Sequence, residues 1–271
     1  MKYQSKSTIS YMLRNFWRLA PWTLAASVLA GLFMTDQPIM AFIRNYADGA
    51  VTADTFFDQL VRAVTVLRFG GYWWCALLTV LLLVLVESLL IVKVSRHMRV
   101  GEMLRFPLKG ALSVLPTALL FALGITVVCE ALNLAVVGIA YLVRSASLIA
   151  AMVVSAVLLF AVRALTVFGA AALLLSFPIM FEENYRFSAA LSYSVRLALD
   201  KPGFLIFLSL IYPTIQLALT ALCAWANLPA LTVVLYSVLY FFFTLYAPCA
   251  AFKIYYDSVG CVRRDITHSI F

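Results

Sequence analysis

The residues that most often bind metal ions or act as nucleophiles are few and scattered in this sequence. It contains five cysteines and two histidines in 271 residues. His97 and His268 have no ligand partner at helical spacing, so the sequence predicts no zinc site. The cysteines lack paired or metal-like spacing and mostly fall in apolar segments, which is typical of free thiols that pack as small apolar residues. These cysteines are Cys75, Cys129, Cys223, Cys249 and Cys261.

The sequence also lacks the short motifs that mark common active sites. It has no Gly-x-Ser-x-Gly nucleophile motif, no phosphate-binding glycine loop and no His-Glu-x-x-His zinc motif. Without a nucleophile beside a base, the sequence predicts a protein that is not an enzyme and that uses no cofactor.

Two charged residues lie deep inside long apolar segments. Glu87 is about 15 residues into one segment and Arg163 about 16 residues into another, which places each about 22–24 Å below the same membrane interface. An unpaired arginine in hydrocarbon costs at least about 2.5–3.5 kcal/mol, so a partner or water is needed. We therefore predict an ion pair between Glu87 and Arg163, which either fixes helix register or binds a proton or an anion. Glu130 is a poorer partner because its segment runs in the opposite direction.

Two later apolar segments each carry polar residues along one helical face. In the first, the spacing is i, i+4, i+8, and in the second it is i, i+3, i+7. Polar faces avoid lipid, so both should point into a helical bundle. They could line a hydrated substrate path, or form interhelical hydrogen bonds worth about 0.6 kcal/mol each. The residues are Tyr212, Gln216 and Thr220, then Ser237, Tyr240 and Thr244.

The composition explains why these segments must cross a membrane. The chain is 65% hydrophobic and 12% charged, with a mean hydropathy of +1.01, whereas soluble domains carry about 25% charged residues. The net charge is +8, but the basic residues cluster beside apolar segments. That distribution indicates membrane orientation and excludes nucleic acid as the partner.

The apolar segments predict an all-α membrane protein with six transmembrane helices in a single domain and no separate soluble domain. The segment 146–178 would extend about 45–50 Å as a helix, longer than a hydrocarbon core of about 30 Å, so this one long fourth span must tilt, protrude or break. The six spans are predicted at about 17–35, 72–94, 110–133, 146–178, 203–223 and 230–252.

Amphipathic segments precede spans one, three and five. They cover residues 7–20, 101–111 and 187–199, and the first and last end in bends at Pro21 and at 201–203. We predict that each forms a helix in the headgroup region, where its cations contact anionic lipid. The predicted contacts are Arg14, Arg18, Arg99, Arg105, Lys109 and Arg196.

A further helix is expected over residues 54–69, in the longest polar connection. Its apolar face should rest on the outer surface of the bundle or bilayer, with Asp54 as the N-cap residue.

The basic residues also predict the orientation. Of 20 Lys and Arg residues, 15 lie in the connections on one side and four on the other, while Arg163 lies within a span. This asymmetry places both termini in the cytoplasm. A cleavable signal peptide is the alternative interpretation of the first span, since residues 28–30, Val-Leu-Ala, could form a cleavage site.

One segment resembles a known family. Residues 178–197, PIMFEENYRFSAALSYSVRL, precede a short polar bend and an apolar span. Their acidic residues and Ala-Leu-x-x-Ser core resemble a segment of the membrane domain of glycerophosphoryl diester phosphodiesterases and of related bacterial six-span proteins. The soluble phosphodiesterase barrel of that family is absent from this sequence. The resemblance implies a bacterial plasma-membrane protein with a role in the lipid envelope.

Two classes of function fit these observations. The first is a non-enzymatic membrane protein that organises or senses, with anionic lipids on its cytoplasmic side and an unidentified membrane protein as candidate partners. The second is a small transporter or lipid-translocating protein that uses the polar span faces. A third interpretation is a permease subunit of an ATP-driven exporter, but no specific sequence feature supports it. A transporter should have a continuous polar cavity that reaches the midplane, whereas a scaffold should be packed dry.

Overall fold

The computed structural model describes residues 2–65, 73–183, 185–200 and 202–259. In these ranges the chain forms α-helices, and six of them are long and apolar enough to cross a membrane, which confirms the predicted all-α membrane fold. The helices are α1 (Lys2–Arg14), α2 (Phe16–Phe33), α3 (Gln37–Ala47), α4 (Phe56–Val64), α5 (Trp73–Val100), α6 (Leu108–Arg144), α7 (Leu148–Leu174), α8 (Ser176–Glu183), α9 (Phe187–Asp200), α10 (Pro202–Ala226) and α11 (Pro229–Val259).

The fourth apolar segment is divided near its end. Helix α7 stops at Leu174, and α8 begins again at Ser176. Pro178 lies in the first turn of α8, where its missing N–H is tolerated. Phe177 and Ile179 beside it are buried in the core, so packing holds α8 in place.

The three amphipathic segments differ from one another in the structure. The first bend lies at Asn15, between α1 and α2, and not at the predicted Pro21, which is inside α2. Lys93 donates a hydrogen bond of 2.9 Å to the carbonyl of Arg18, one turn before Pro21. The second segment is mostly irregular, since α6 begins only at Leu108. The third is the helix α9, as expected.

The long connection after α2 contains a helix that the sequence pattern did not reveal. Helix α3 starts at Gln37, with Pro38 in its first turn. Helix α4 lies within the predicted range 54–69, but its N-cap residue is Thr55 and not Asp54. The end of that predicted range, 66–69, lies outside the described residues, as do His268 and Cys261.

At one end of the bundle, the short helix α4 packs against α6, and α3 packs against α4 and α10. Their shared apolar cluster includes Phe42, Phe56, Leu60, Ala140 and Ala151. Burial of this cluster from water or headgroups is what orders a connection rich in polar residues. The connection is therefore a structured part of the fold.

The main core lies where α2, α5 and α11 meet. Leu19, Leu90, Val94, Phe252 and Tyr255 are all buried there. Near the other end of α2, Gly31 lies directly on α11, and a Cβ atom there would come 2.6 Å from the Val233 carbonyl oxygen and closer still to the Ser237 hydroxyl. Only glycine permits this approach of the two helices.

Candidate functional site

The most polar place in the bundle is built around the carboxylate of Asp36. This residue lies in the short link between α2 and α3, at the N-cap position of α3, but its side chain makes no capping hydrogen bond. It contacts Arg163 of α7 instead, whose Nη1 and Nη2 donate to Oδ2 and Oδ1 at 3.0 and 2.9 Å. This bidentate geometry is the strongest form of an arginine–carboxylate pair.

Three further side chains from α10 and α11 donate to the same carboxylate oxygen. Gln216 Nε2, Thr220 Oγ1 and Tyr236 OH lie 2.9, 3.1 and 3.0 Å from Oδ2 of Asp36. With the two contacts from Arg163 this makes five donor contacts, four to Oδ2 and one to Oδ1, on a group with about four lone-pair positions. The carboxylate is thus satisfied by the protein itself.

The backbone next to Asp36 is also held by α11. Tyr240 OH donates a hydrogen bond of 2.9 Å to the carbonyl of Met34. The Thr220 and Tyr236 hydroxyls are 2.8 Å apart, so α10 and α11 meet beside the carboxylate. Because each hydroxyl has one proton, one donates to Asp36 while the other donates either to Asp36 or to its neighbour. We call Asp36, Arg163, Gln216, Thr220 and Tyr236 the Asp36 cluster. It links the α2–α3 connection to α7, α10 and α11.

The ion pair is largely enclosed. The side chain of Asp36 is 13% exposed and that of Arg163 27% exposed. Removing one partner of an enclosed pair leaves an uncompensated charge, at a cost of about 3–5 kcal/mol. The cluster is therefore placed to fix how the four connected elements pack.

The predicted pairing of Arg163 with Glu87 is wrong, because Arg163 pairs with Asp36. Equal depth along two spans is therefore not sufficient to predict which charged residues pair. Arg163 is about 22 Å from the start of α7, whereas Thr220 is about 9 Å from the end of α10, yet both contact Asp36. The connected ends of α6 and α7 therefore project beyond those of α10 and α11, and the α2–α3 link lies beside them at the depth of Arg163.

The predicted polar faces are only partly used in the Asp36 cluster. Gln216, Thr220 and Tyr240 point inward as described above. Tyr212 packs edge-on against Phe243, with ring centroids 4.7 Å apart. Ser237 donates to the Val233 carbonyl of its own helix at 2.7 Å, and Thr244 is half-buried outside the cluster.

Sequence reasoning missed Asp36 and Tyr236. Asp36 directly follows the first predicted span, 17–35, and the pattern therefore places it in the polar connection. A signal was present, since an acidic residue two positions before Pro38 is a helix-start pattern. Recognising α3 would have moved Asp36 from a solvent loop to a helix end. Tyr236 precedes the predicted face of the last span by one position, and no signal marked it.

Two open clefts lie on either side of α3. One, of about 340 Å³, is lined by Gln37, Met40, Arg44, Asn227 and Thr232 with their neighbours. The other, of about 350 Å³, lies between α3 and α4 beside Arg62. Both are open at the surface, and neither is lined by Asp36 or Arg163.

The six predicted lipid-contacting cations are all exposed. They lie where α1 and α2 meet, in the last turn of α5, before and at the start of α6, and in α9. This is the end of the bundle where α10 begins and α11 ends. We call this end, defined by Arg14, Arg18, Arg99, Arg105, Lys109 and Arg196, the basic end. At the opposite end, Arg44, Arg62 and Arg144 are balanced by Asp48, Asp54 and Asp58 among the described residues.

These features define the class of the protein, which is a multi-pass integral membrane protein with six membrane-length helices. The part of the chain that the structure describes holds no group of three or more His, Cys, Asp or Glu residues that could bind a metal ion. Comparison with known protein families, with curated proteins and with solved structures finds no match. The resemblance of residues 178–197 to the phosphodiesterase membrane domain therefore stays a prediction.

Proposed function

We propose that this chain is a non-enzymatic protein of the bacterial plasma membrane that binds anionic lipid headgroups through its basic end and thereby organises or senses the membrane. One observation carries the proposal. Six cations from three separate parts of the sequence are all exposed at one end of the folded bundle. By the positive-inside rule this end faces the cytoplasm, where anionic lipids attract basic residues.

Exposed apolar side chains accompany these cations. Trp17 is 84% exposed beside Arg18, and Phe106 is 81% exposed beside Arg105. Leu199 and Val195 are exposed around Arg196 on α9. Apolar side chains next to cations suit the headgroup region, because the ring or alkyl group enters the acyl chains while the cation meets phosphate. Each such cation contributes about 1 kcal/mol of attraction to an anionic leaflet.

The interior is less suited to transport. A transport site must exchange its ligand, but the Asp36 carboxylate already receives the donors of Arg163, Gln216, Thr220 and Tyr236. Two clefts open beside α3, and neither is lined by Asp36 or Arg163. A carboxylate bonded by side chains of three helices supports a fixed scaffold, and the transporter or lipid-translocating alternative has no comparable observation in its favour.

The proposal can be tested by lipid-dependent stability. The delipidated protein in mild detergent is heated with phosphatidylglycerol or with phosphatidylcholine. We expect phosphatidylglycerol to raise Tm more than phosphatidylcholine does, and we expect this difference to vanish when the six basic-end cations are replaced by Gln. Arg62→Gln, an exposed arginine at the opposite end, is the matched control. An undiminished difference in the six-residue variant would rule out the basic end as the lipid-binding surface.

A further inference from the structure

The open cleft between α3 and the α10–α11 turn has the features of a ligand site. We call it the α3 cleft, with Gln37, Met40, Arg44, Asn227 and Thr232 in its lining. It lies at the end of the bundle opposite the basic end. We propose that the α3 cleft binds the phosphate of a phospholipid headgroup, with Arg44 as the residue that contacts it.

Arg44 is only partly paired by the protein. Its Nη1 donates a hydrogen bond to Oδ1 of Asn227 on the α10–α11 turn. Its Nε is covered by surrounding atoms and has no hydrogen-bond acceptor among the described residues. A guanidinium has five N–H donors in a rigid fork that matches the oxygen atoms of a phosphate. A phosphate that entered the cleft would accept hydrogen bonds from the Nη donors of Arg44 that Asn227 does not use, and the covered Nε would gain an acceptor only if the side chain moved.

The α10–α11 turn holds Asn227, the hydrogen-bond partner of Arg44, in place. Asn227 has φ of 50°, in the left-handed region that asparagine tolerates better than most residues. This conformation ends α10, and the Asn227 amide N–H bonds the Cys223 carbonyl at 3.1 Å. The Asn227 side chain is thereby directed to α3, where it orients the Arg44 guanidinium. The first turn of α11, with Pro229 and Thr232, forms the adjoining wall.

The surroundings of the cleft favour a lipid over a free anion. Met40, Leu228 and Pro229 give the lining an apolar side. At the same end of α10, Trp225 is 86% exposed and Leu222 is also exposed. An exposed tryptophan beside a helix turn is typical of the membrane interface, so the guanidinium lies at headgroup level. A ligand with both a phosphate and acyl chains matches this combination.

The neighbouring cleft, between α3 and α4, also contains an arginine, but no hydrogen bond to a turn of the described chain holds it. There, Asn45 and Gln59 bond each other across the gap at 3.2 Å. Arg62 of that cleft is exposed on the surface of α4. Arg62 is thus the matched control for Arg44, since it has the same chemistry, lies on the other side of α3 and has no turn asparagine to orient it.

The test is native mass spectrometry of the full chain from mild detergent, titrated with phosphatidylglycerol. It is run in the six-residue basic-end variant, so that lipids bound there do not mask the site. We expect Arg44→Gln to weaken the first retained lipid about tenfold, as for loss of a charge-assisted hydrogen-bonded contact. Arg62→Gln should leave it unchanged, and Arg44→Lys, which keeps the charge but loses the fork, should give an intermediate affinity.

Equal lipid affinity of the Arg44→Gln variant and its parent would overturn the proposal. Inorganic phosphate is the second probe. If it raises Tm through Arg44 while lipid retention stays independent of Arg44, the lipid assignment is wrong. If Arg44→Gln does not fold, Arg44→Lys and Asn227→Ala carry the same comparison, and unchanged lipid retention in both would contradict the site.

Discussion

Asp36 and Arg163 are 127 residues apart in the sequence and form a bidentate ion pair inside the bundle. Because Gln216, Thr220 and Tyr236 bond the same carboxylate, the pair joins the α2–α3 link to three membrane-length helices. In a medium that offers no water, such contacts are the means by which a polar link is tolerated at this depth. The ion pair is therefore a structural element of the fold.

The first prediction concerns the energy of this pair. Asp36→Asn and Arg163→Gln should each lower thermal stability in detergent, by up to about 3–5 kcal/mol, because each leaves an enclosed charge without its partner. The double variant should lose clearly less than the sum of the two. Thermal unfolding of the four proteins gives the coupling free energy.

Glu87 provides the control for that cycle. Combined with Arg163→Gln, Glu87→Gln should behave additively within about 0.3–0.5 kcal/mol, since the two residues do not pair. Additive losses for Asp36 and Arg163, or coupling of Arg163 to Glu87, would contradict the arrangement described above.

The second prediction concerns the close approach of α2 and α11. Gly31→Ala should destabilise the protein by about 1–3 kcal/mol, because its Cβ would come 2.6 Å from the Val233 carbonyl, which cannot move aside as a flexible side chain would. Gly124→Ala in α6 is the matched control, since a Cβ there meets nothing within 4 Å. It should leave stability unchanged or raise it by up to about 1 kcal/mol. A Gly31→Ala variant as stable as Gly124→Ala would show that α2 and α11 are further apart.

The third prediction separates the two faces of α9. Ala190 is fully buried and Val195 is 45% exposed. Ala190→Asp should prevent stable folding, because it places a charge inside the packed core. Val195→Asp should keep Tm in detergent but reduce stabilisation by phosphatidylglycerol, since it places a negative charge in the headgroup region. Equal effects of the two changes on Tm would contradict the assigned burial of α9.

The fourth prediction concerns orientation. Single cysteines at Asp48 and Tyr185, both exposed, are compared in a cysteine-free background with a membrane-impermeant thiol reagent on intact cells. The excess of basic residues at the opposite end predicts that the Asp48 position is labelled and the Tyr185 position is protected. Labelling of Tyr185 from outside would reverse the proposed orientation and separate the basic end from the cytoplasmic lipids.

Sequence reasoning succeeded where composition alone decides the outcome. Six membrane-length apolar segments and a helix at residues 187–200 could be predicted from hydropathy and from Pro and Gly positions. The Asp36–Arg163 pair could not, because it depends on how far α7 projects past α10 and on the fold of the connection between α2 and α5. Both depend on tertiary packing, and they cannot be calculated from the depth of a residue along its own span. The sequence predicted the polar face of Gln216 and Thr220, but not that these residues bond the carboxylate of Asp36.

The central claim is that the interior charges hold the fold and the basic end binds lipid. The most direct test measures Tm and retained phosphatidylglycerol side by side, by thermal unfolding and native mass spectrometry, for two variants. The interior variant is Asp36→Asn, which leaves the enclosed Arg163 without its partner, and the other is the six-residue basic-end variant. We predict that the interior variant loses thermal stability but retains lipid, while the basic-end variant keeps its Tm and loses most of the retained lipid. An interior variant with unchanged Tm and lost lipid would contradict this account and place the lipid at the Asp36 cluster.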